Sequence, residues 1–187
     1  GGFEYGLERA GWTVAWQVEN DPFCQRTLER RWPSVARWGD VRTLWTDQHP
    51  GRPGLASSGN GEGTLQGLHR SAGRIDLLVG GFPCQDLSVA GKRAGLGAER
   101  SGLFWEIVRI AKIVRPTWGL FENVPGLLSS NGGRDMGLVL AGLRDCWPAV
   151  GYRILDSQHV GGCAMHGRGG VPQRRRRVYF VCGPDEA

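Results

Sequence analysis

Apolar and polar positions along this chain switch repeatedly between two periods. Phe3, Leu7 and Ala10 recur at i, i+4 and i+7, which is one face of a helix, and Gly11 ends it. Residues 12–18 alternate, with aromatic and β-branched side chains, and predict a strand. Asp21 then suits a helix N-cap and Pro22 the first turn, so a second helix is expected through about Arg31, stopped by Trp32-Pro33. The apolar run 75–79 predicts a buried strand. A helix over 102–115 follows, capped by Ser101 and ended by Pro116, with Leu103, Phe104, Ile107, Val108, Ala111 and Val114 on its apolar side. Residues 118–121 predict a strand, 134–146 a helix carrying Met136, Val139, Leu140 and Leu143, and 152–155 and 178–182 two more strands. Residues 47–73 are rich in Gly, Ser and Pro and read as an insertion loop; residues 161–170 read as a Gly-rich loop. Strands alternating with helices imply an α/β fold, an open sheet with helices on both faces.

Composition narrows this only slightly. A chain of 187 residues with 40% hydrophobic and 22% charged residues fits one globular domain with a sizeable core. No apolar run reaches membrane-spanning length and no signal peptide is visible. Cys24, Cys84, Cys146, Cys163 and Cys182 are scattered and odd in number, with no CxxC pair. Reduced thiols in a cytoplasmic protein are therefore expected rather than a disulfide framework. Cys163 and His166 are two plausible ligands close in sequence, too few for zinc, and no metal is expected. The net charge of +5, almost all of it arginine, is compatible with a polyanionic partner. The chain opens on Gly1-Gly2-Phe3 without a methionine and ends just after a strand, so it is read as a piece of something longer, truncated at both ends.

Four residues fall at or beside the carboxyl ends of predicted strands, where an open α/β sheet gathers ligands and chemistry: Glu19, Asp40, Cys84 and Glu122. An acid after an early strand commonly bonds ribose hydroxyls, yet surface acids after strands are ordinary, and Gly39-Asp40 is also an ordinary turn. Cys84 follows a proline and opens a Gly-punctuated loop with Lys92, Arg93 and Arg100; taken alone it is a small hydrophobe on a turn. Glu122 ends an apolar strand, where a carboxylate needs a partner or a task. In the run of four arginines from 174 to 177, strand alternation puts Arg175 and Arg177 on one face and Arg174 and Arg176 on the other. One pair can then reach the crevice while the other meets solvent or phosphates.

Taken in order, Pro83-Cys84-Gln85, Glu122-Asn123-Val124 and Gln173-x-Arg175-x-Arg177 resemble the signature motifs of the DNA (cytosine-5)-methyltransferase family. Gly1-Gly2-Phe3 looks like the tail of that family's Gly-rich cofactor motif, and Glu19 and Gly39-Asp40 match its next two cofactor positions. The helix beginning Gly102-Leu103-Phe104 and the stretch from Leu127 to Gly133 look typical as well. Each tripeptide is weak alone; all of them in order are strong. The resemblance covers most of the chain apart from 47–73 and 161–170, and lacks the family's target-recognition domain.

The resemblance implies a Rossmann-like methyltransferase fold and S-adenosyl-L-methionine as methyl donor. Cys84 would be the nucleophile that adds to C6 of cytosine, Glu122 would act at N3, and Arg175 and Arg177 would hold O2 and the cysteine loop. Gly1, Gly2, Phe3, Glu19, Asn20, Asp40, Val41 and Pro83 would contact the cofactor. Gln85, Ser88, Lys92, Arg93, Asn123 and Gln173 would contact the substrate. A free thiol is only a few per cent thiolate at neutral pH, so a strand end near cations suits Cys84. The implied substrate is double-stranded DNA with the target base flipped out; a cognate restriction endonuclease and a monomeric state go with it. A transfer-RNA methyltransferase of the same family and an inactive binding fragment remain as alternatives. A nicotinamide enzyme is poorly supported because no complete GxGxxG opens the chain.

Overall fold

The computed structural model describes residues 2–44, 73–83, 102–159, 162–163, 168–169 and 173–185. They fall into two compact units: residues 1–76 with 109–116, and residues 77–108 with 117–187.

The first unit holds α1 (Gly2–Arg9), β1 (Trp16–Val18), α2 (Pro22–Arg31) and β2 (Ala36–Trp38). Gly11, with φ of +89°, turns the chain out of α1, and the Trp12 amide still donates to the Leu7 carbonyl. The strand therefore begins four residues later than the alternation predicts. Asp21 does cap α2, accepting the Cys24 amide at 2.8 Å. β1 and β2 pair in parallel, Trp16 with Ala36 through Val18 with Trp38. Gln17 lies buried between them, and its side chain is satisfied: Arg37 donates to it through Nε and a terminal nitrogen at 3.0 and 2.8 Å, and it donates to Glu4 at 3.4 Å.

The second unit is built on a four-stranded sheet of β3 (Leu77–Gly81), β4 (Trp118–Asn123), β5 (Ala149–Asp156) and β8 (Arg176–Gly183), in the order β3-β4-β8-β5. β3 and β4 are parallel; β8 is antiparallel to both neighbours. The helix between β3 and β4 is α3 (Leu103–Val114), and α4 (Arg134–Arg144) precedes β5. Phe121, Val178, Phe180 and Cys182 share the buried face of the sheet. Trp147 packs on Phe121, ring centroids 5.7 Å apart. Phe104 of α3 is fully buried against Gly142 of α4, where an added Cβ would lie 2.9 Å from the Phe104 ring. Only glycine permits that approach.

Two differences from the predicted elements have a common cause. β3 runs on through Gly80 and Gly81, and a short antiparallel pair, β6 (Gly162–Cys163) with β7 (Arg168–Gly169), stands inside the stretch expected to be loop. Glycines pair through their backbone while contributing nothing to hydrophobic alternation. All of the 47–73 insertion except Gly73 lies outside the described residues.

Candidate active site

Three strands deliver side chains to one end of the second unit's sheet. β3 and β4 are in register, Gly81 beside Glu122, so the carboxyl ends of both strands finish together. β8 runs the other way, so the arginines just before and just inside its start arrive at that same end. Glu122 is half-buried, and one of its oxygens, Oε1, receives both guanidiniums: a terminal nitrogen of Arg175 at 2.9 Å and Nε of Arg177 at 3.1 Å. The alternation expected of the arginine run is met, since Arg175 and Arg177 converge on Glu122. The segment leading into β8 is fixed by its own backbone: Asp156 accepts the Arg175 amide at 3.2 Å, and the Ser157 amide donates to the Arg175 carbonyl at 3.1 Å.

Asn123 ties β4 to the end of β3. It is buried, donates to the Phe82 carbonyl at 2.9 Å, and accepts the Val124 amide at 2.7 Å. Phe82 in turn rests on Phe104, ring centroids 4.9 Å apart. The backbone immediately before Cys84 is therefore held from two sides. A cleft of about 310 Å³ opens here, walled by residues 81–83 of the β3 end, residues 122–124 of the β4 end, and Arg177. A carboxylate and a guanidinium, from Glu122 and Arg177, stand in its wall beside apolar side chains. Tyr179, paired with Glu122 across the sheet, has its phenol pKa pushed up by burial and then by the Glu122 charge.

In the first unit, Glu19 and Asp40 lie just past the ends of β1 and β2, and the Glu19 amide donates to the Trp38 carbonyl at 3.0 Å. Both carboxylates are thus set at one sheet edge. Glu19 accepts the Asp21 amide at 2.9 Å, which orients it. Its carbonyl is held by Gln25 Nε2 at 2.5 Å. Asp40 caps the short turn Val41–Thr43 by accepting the Arg42 amide, and it is gripped by the Arg42 guanidinium, which holds its carboxyl below the usual carboxylate range.

The family model for C-5 cytosine-specific DNA methylase matches residues 1–186. The chain belongs to that family. It is 30% identical over 185 residues to the type II methyltransferase M2.BsuMI of Bacillus subtilis, covering 97% of this chain and 39% of that protein. It is 30% identical over 184 residues to M.AquIA of Picosynechococcus, covering 97% of this chain and 67% of that protein. Among solved structures it is similar to a prophage-encoded DNA modification methyltransferase of E. coli, with a TM-score of 0.67 at 21% identity over 97% of this chain and 43% of the other. That likeness shows the fold, the open α/β architecture expected from the alternating elements and the methyltransferase form of it that the resemblance implies.

Of the residues nominated as substrate or cofactor contacts, the structure brings Glu122, Arg177, Asn123 and Pro83 to one cleft, with Arg175 bonded to Glu122 in its wall. The Gln173 carbonyl accepts from the Ser157 hydroxyl. Glu19, Asn20, Asp40 and Val41 cluster at the β1–β2 edge, while Gly2 and Phe3 begin α1. Gly1, Cys84, Gln85, Ser88, Lys92 and Arg93 lie outside the described residues. Asn123, nominated as a base contact, spends its amide on the backbone of the site. Gln25, Arg42, Asp156 and Tyr179 escaped the sequence reading. Gln25, Asp156 and Tyr179 act through tertiary pairings that no local pattern reveals, and Arg42 is an ordinary turn arginine until its fork is seen. Among the described residues no group of three or more His, Cys, Asp or Glu could hold a metal, and no helix is long and apolar enough to cross a membrane.

Proposed function

We propose that this chain carries the catalytic machinery of a DNA (cytosine-5)-methyltransferase, with Cys84 as nucleophile toward a flipped-out cytosine. The observation that carries the reading is the convergence of Glu122, Arg175 and Arg177 at a small cleft whose wall ends at Pro83, one residue before Cys84. Family membership supplies the reaction class, and the cleft supplies groups suited to it.

Cytosine C5 is a poor nucleophile. Addition of the Cys84 thiolate to C6 makes a C6–S bond and turns C5 into an enamine-like carbon, with charge developing on N3. Glu122 would hold a proton at N3 and accept from the exocyclic amine. Arg177, with Arg175, offers donors to O2 and draws electron density toward the pyrimidine edge. After methylation at C5, a base removes the C5 proton, the electron pair re-forms the C5–C6 double bond, and Cys84 leaves as thiolate. The target base must leave the stack to reach such a cleft, at a cost of about a few kcal/mol.

S-adenosyl-L-methionine, when bound, supplies the electrophilic methyl group. The chemistry of the β1–β2 edge fits its nucleoside: Glu19, oriented by the Asp21 amide, suits a ribose diol, and Asp40 suits the adenine amine. Phe3, half-buried in α1, and the Val41 amide would complete the contacts from this unit.

The test is mechanism-based trapping. Duplex DNA containing 5-fluorocytosine, incubated with S-adenosyl-L-methionine and the chain, should give a covalent adduct that peptide mass spectrometry places on Cys84, because fluorine at C5 blocks the final elimination. Cys84→Ser should give none. An adduct elsewhere, or an equal yield from the variant, would remove Cys84 from the mechanism. Transfer RNA offered as competitor should not reduce the yield.

A further inference from the structure

Arg42 plays no part in the chemistry above, yet it occupies the carboxylate that the cofactor's adenine would need. Its Nε lies 3.0 Å from each oxygen of Asp40, and one terminal nitrogen lies 2.6 Å from Oδ2. The Arg42 amide takes Oδ1 as well, at 2.9 Å. A carboxylate offers about four lone-pair directions, and these four contacts engage them. The backbone under the pair is fixed: Thr43 donates to the Asp40 carbonyl through both its amide and its hydroxyl, and Arg109 donates to the Val41 carbonyl at 3.2 Å. The Arg42 side chain is 67% exposed, so its grip on Asp40 is one that water can replace at small cost.

We propose that Arg42 guards Asp40. It competes with the exocyclic amine of adenine for the carboxylate, so nucleoside binding exchanges one donor for the other. Arg42 thereby sets both the affinity of this edge and its preference for a 6-amino over a 6-oxo purine. The sense of that preference follows from the donors. A 6-amino group must displace the guanidinium, whereas a 6-oxo group accepts from it and gains nothing from Asp40. Removing Arg42 should therefore sharpen discrimination. The inference rests on the reading of Asp40 as the adenine contact.

Calorimetric titration of the full chain with S-adenosylhomocysteine and with S-inosylhomocysteine tests it. Arg42→Ala should bind the adenosyl compound about two- to five-fold tighter, the span expected when an exposed ion pair no longer competes. The inosyl compound should bind no tighter than to wild type. Arg42→Lys keeps the cation without the fork and should fall between. Asp40→Ala should weaken the adenosyl compound by about ten-fold or more, the loss of a charge-assisted bond. If Asp40→Ala changes nothing, the reading of Asp40 fails whatever Arg42 does. If Asp40→Ala weakens binding but Arg42→Ala binds no tighter than wild type, the guard is overturned and the reading survives. A wild-type chain that binds neither compound overturns both. A second readout needs no variant: the Arg42 Nε–H resonance should shift toward that of a solvated guanidinium as S-adenosylhomocysteine saturates the chain. A resonance unmoved at saturation overturns the exchange.

Discussion

Asn123 offers the sharpest physical test of how the cleft is held. Its amide nitrogen donates to the Phe82 carbonyl at 2.9 Å and its oxygen accepts the Val124 amide at 2.7 Å, with the residue 5% exposed. Asn123→Ala removes both bonds and leaves two backbone groups short of a partner. At about 1 kcal/mol of net stability per bond, and about 1–3 kcal/mol for a buried group left unsatisfied, the loss should be about 2–4 kcal/mol. For a chain of this size with a urea m-value of about 2 kcal/mol per molar, the midpoint should fall by about 1–2 M. Asn123→Asp is more discriminating. It keeps an oxygen for Val124 but sets a second oxygen against the Phe82 carbonyl unless the new carboxyl is protonated. Its folded-state pKa would thus be raised above the unfolded value of about 3.9. Stability is then retained below that unfolded value and lost as pH rises through the folded one, so the deficit against wild type should be largest at neutral pH and shrink toward pH 4. Both variants should slow 5-fluorocytosine trapping, because Phe82 and Pro83 lead directly into Cys84. Urea midpoints within 0.3 M of wild type for both variants, flat with pH, would show that the clamp is not holding the β3 end.

Four further outcomes are expected. Gly142→Ala puts a Cβ 2.9 Å from the Phe104 ring and should cost about 1–3 kcal/mol, read as a lowered thermal midpoint; an unchanged midpoint would mean that the α3–α4 contact is slack. Cys182 is fully buried and its pKa is pushed up to about 12 by burial, so it should resist alkylation at pH 8 until the chain is unfolded; labelling of the native chain at the free-thiol rate contradicts this. Asp40's carboxyl is held down, first by the Arg42 side chain, so its contribution is present above the unfolded carboxylate value and lost as pH falls through the lower folded one. Wild type should therefore lose more stability than Arg42→Ala between neutrality and about pH 3, and parallel acid limbs in denaturation would refute that. Glu122→Gln keeps an acceptor and a donor but no transferable proton; it should slow adduct formation much more than it weakens DNA binding by anisotropy, and equal losses would make Glu122 structural.

Much of this fold is legible in the sequence. Asp21 with Pro22 announced α2, and the apolar stripe from Phe104 to Val114 announced α3, because caps and helical periodicity are local signals. The site triad was legible only through motif order, since no local rule brings Glu122 to Arg175 across 53 residues. What stayed hidden depends on pairing. β2 spans three residues, too few for an alternation to register, and β3's extension consists of glycines. The backbone bonds of Asn123 stayed hidden too, because a buried amide that bonds backbone and an exposed one that bonds a ligand look alike in sequence.

The antiparallel run of β8 explains why the site can be assembled at all. In an all-parallel sheet, residues that precede a strand lie at the end opposite to those that follow one. Glu122 lies one residue before the end of β4 and Cys84 follows β3 in sequence, while Arg175 and Arg177 sit just before and just inside the start of β8. Only reversal of β8 brings those arginines to the carboxyl ends of its neighbours. The register then does the aiming: Glu122 faces Tyr179, Arg177 lies two residues earlier on the same strand face, and both guanidiniums meet the one carboxylate oxygen. A one-residue slip of β8 would turn Arg177 to the buried face and Val178 to the cleft. The packing of Val178, Phe180 and Cys182 against the interior, each fully buried, is what prevents that slip. The hydrophobic alternation of β8 and the placement of the arginines on Glu122 are thus a single constraint.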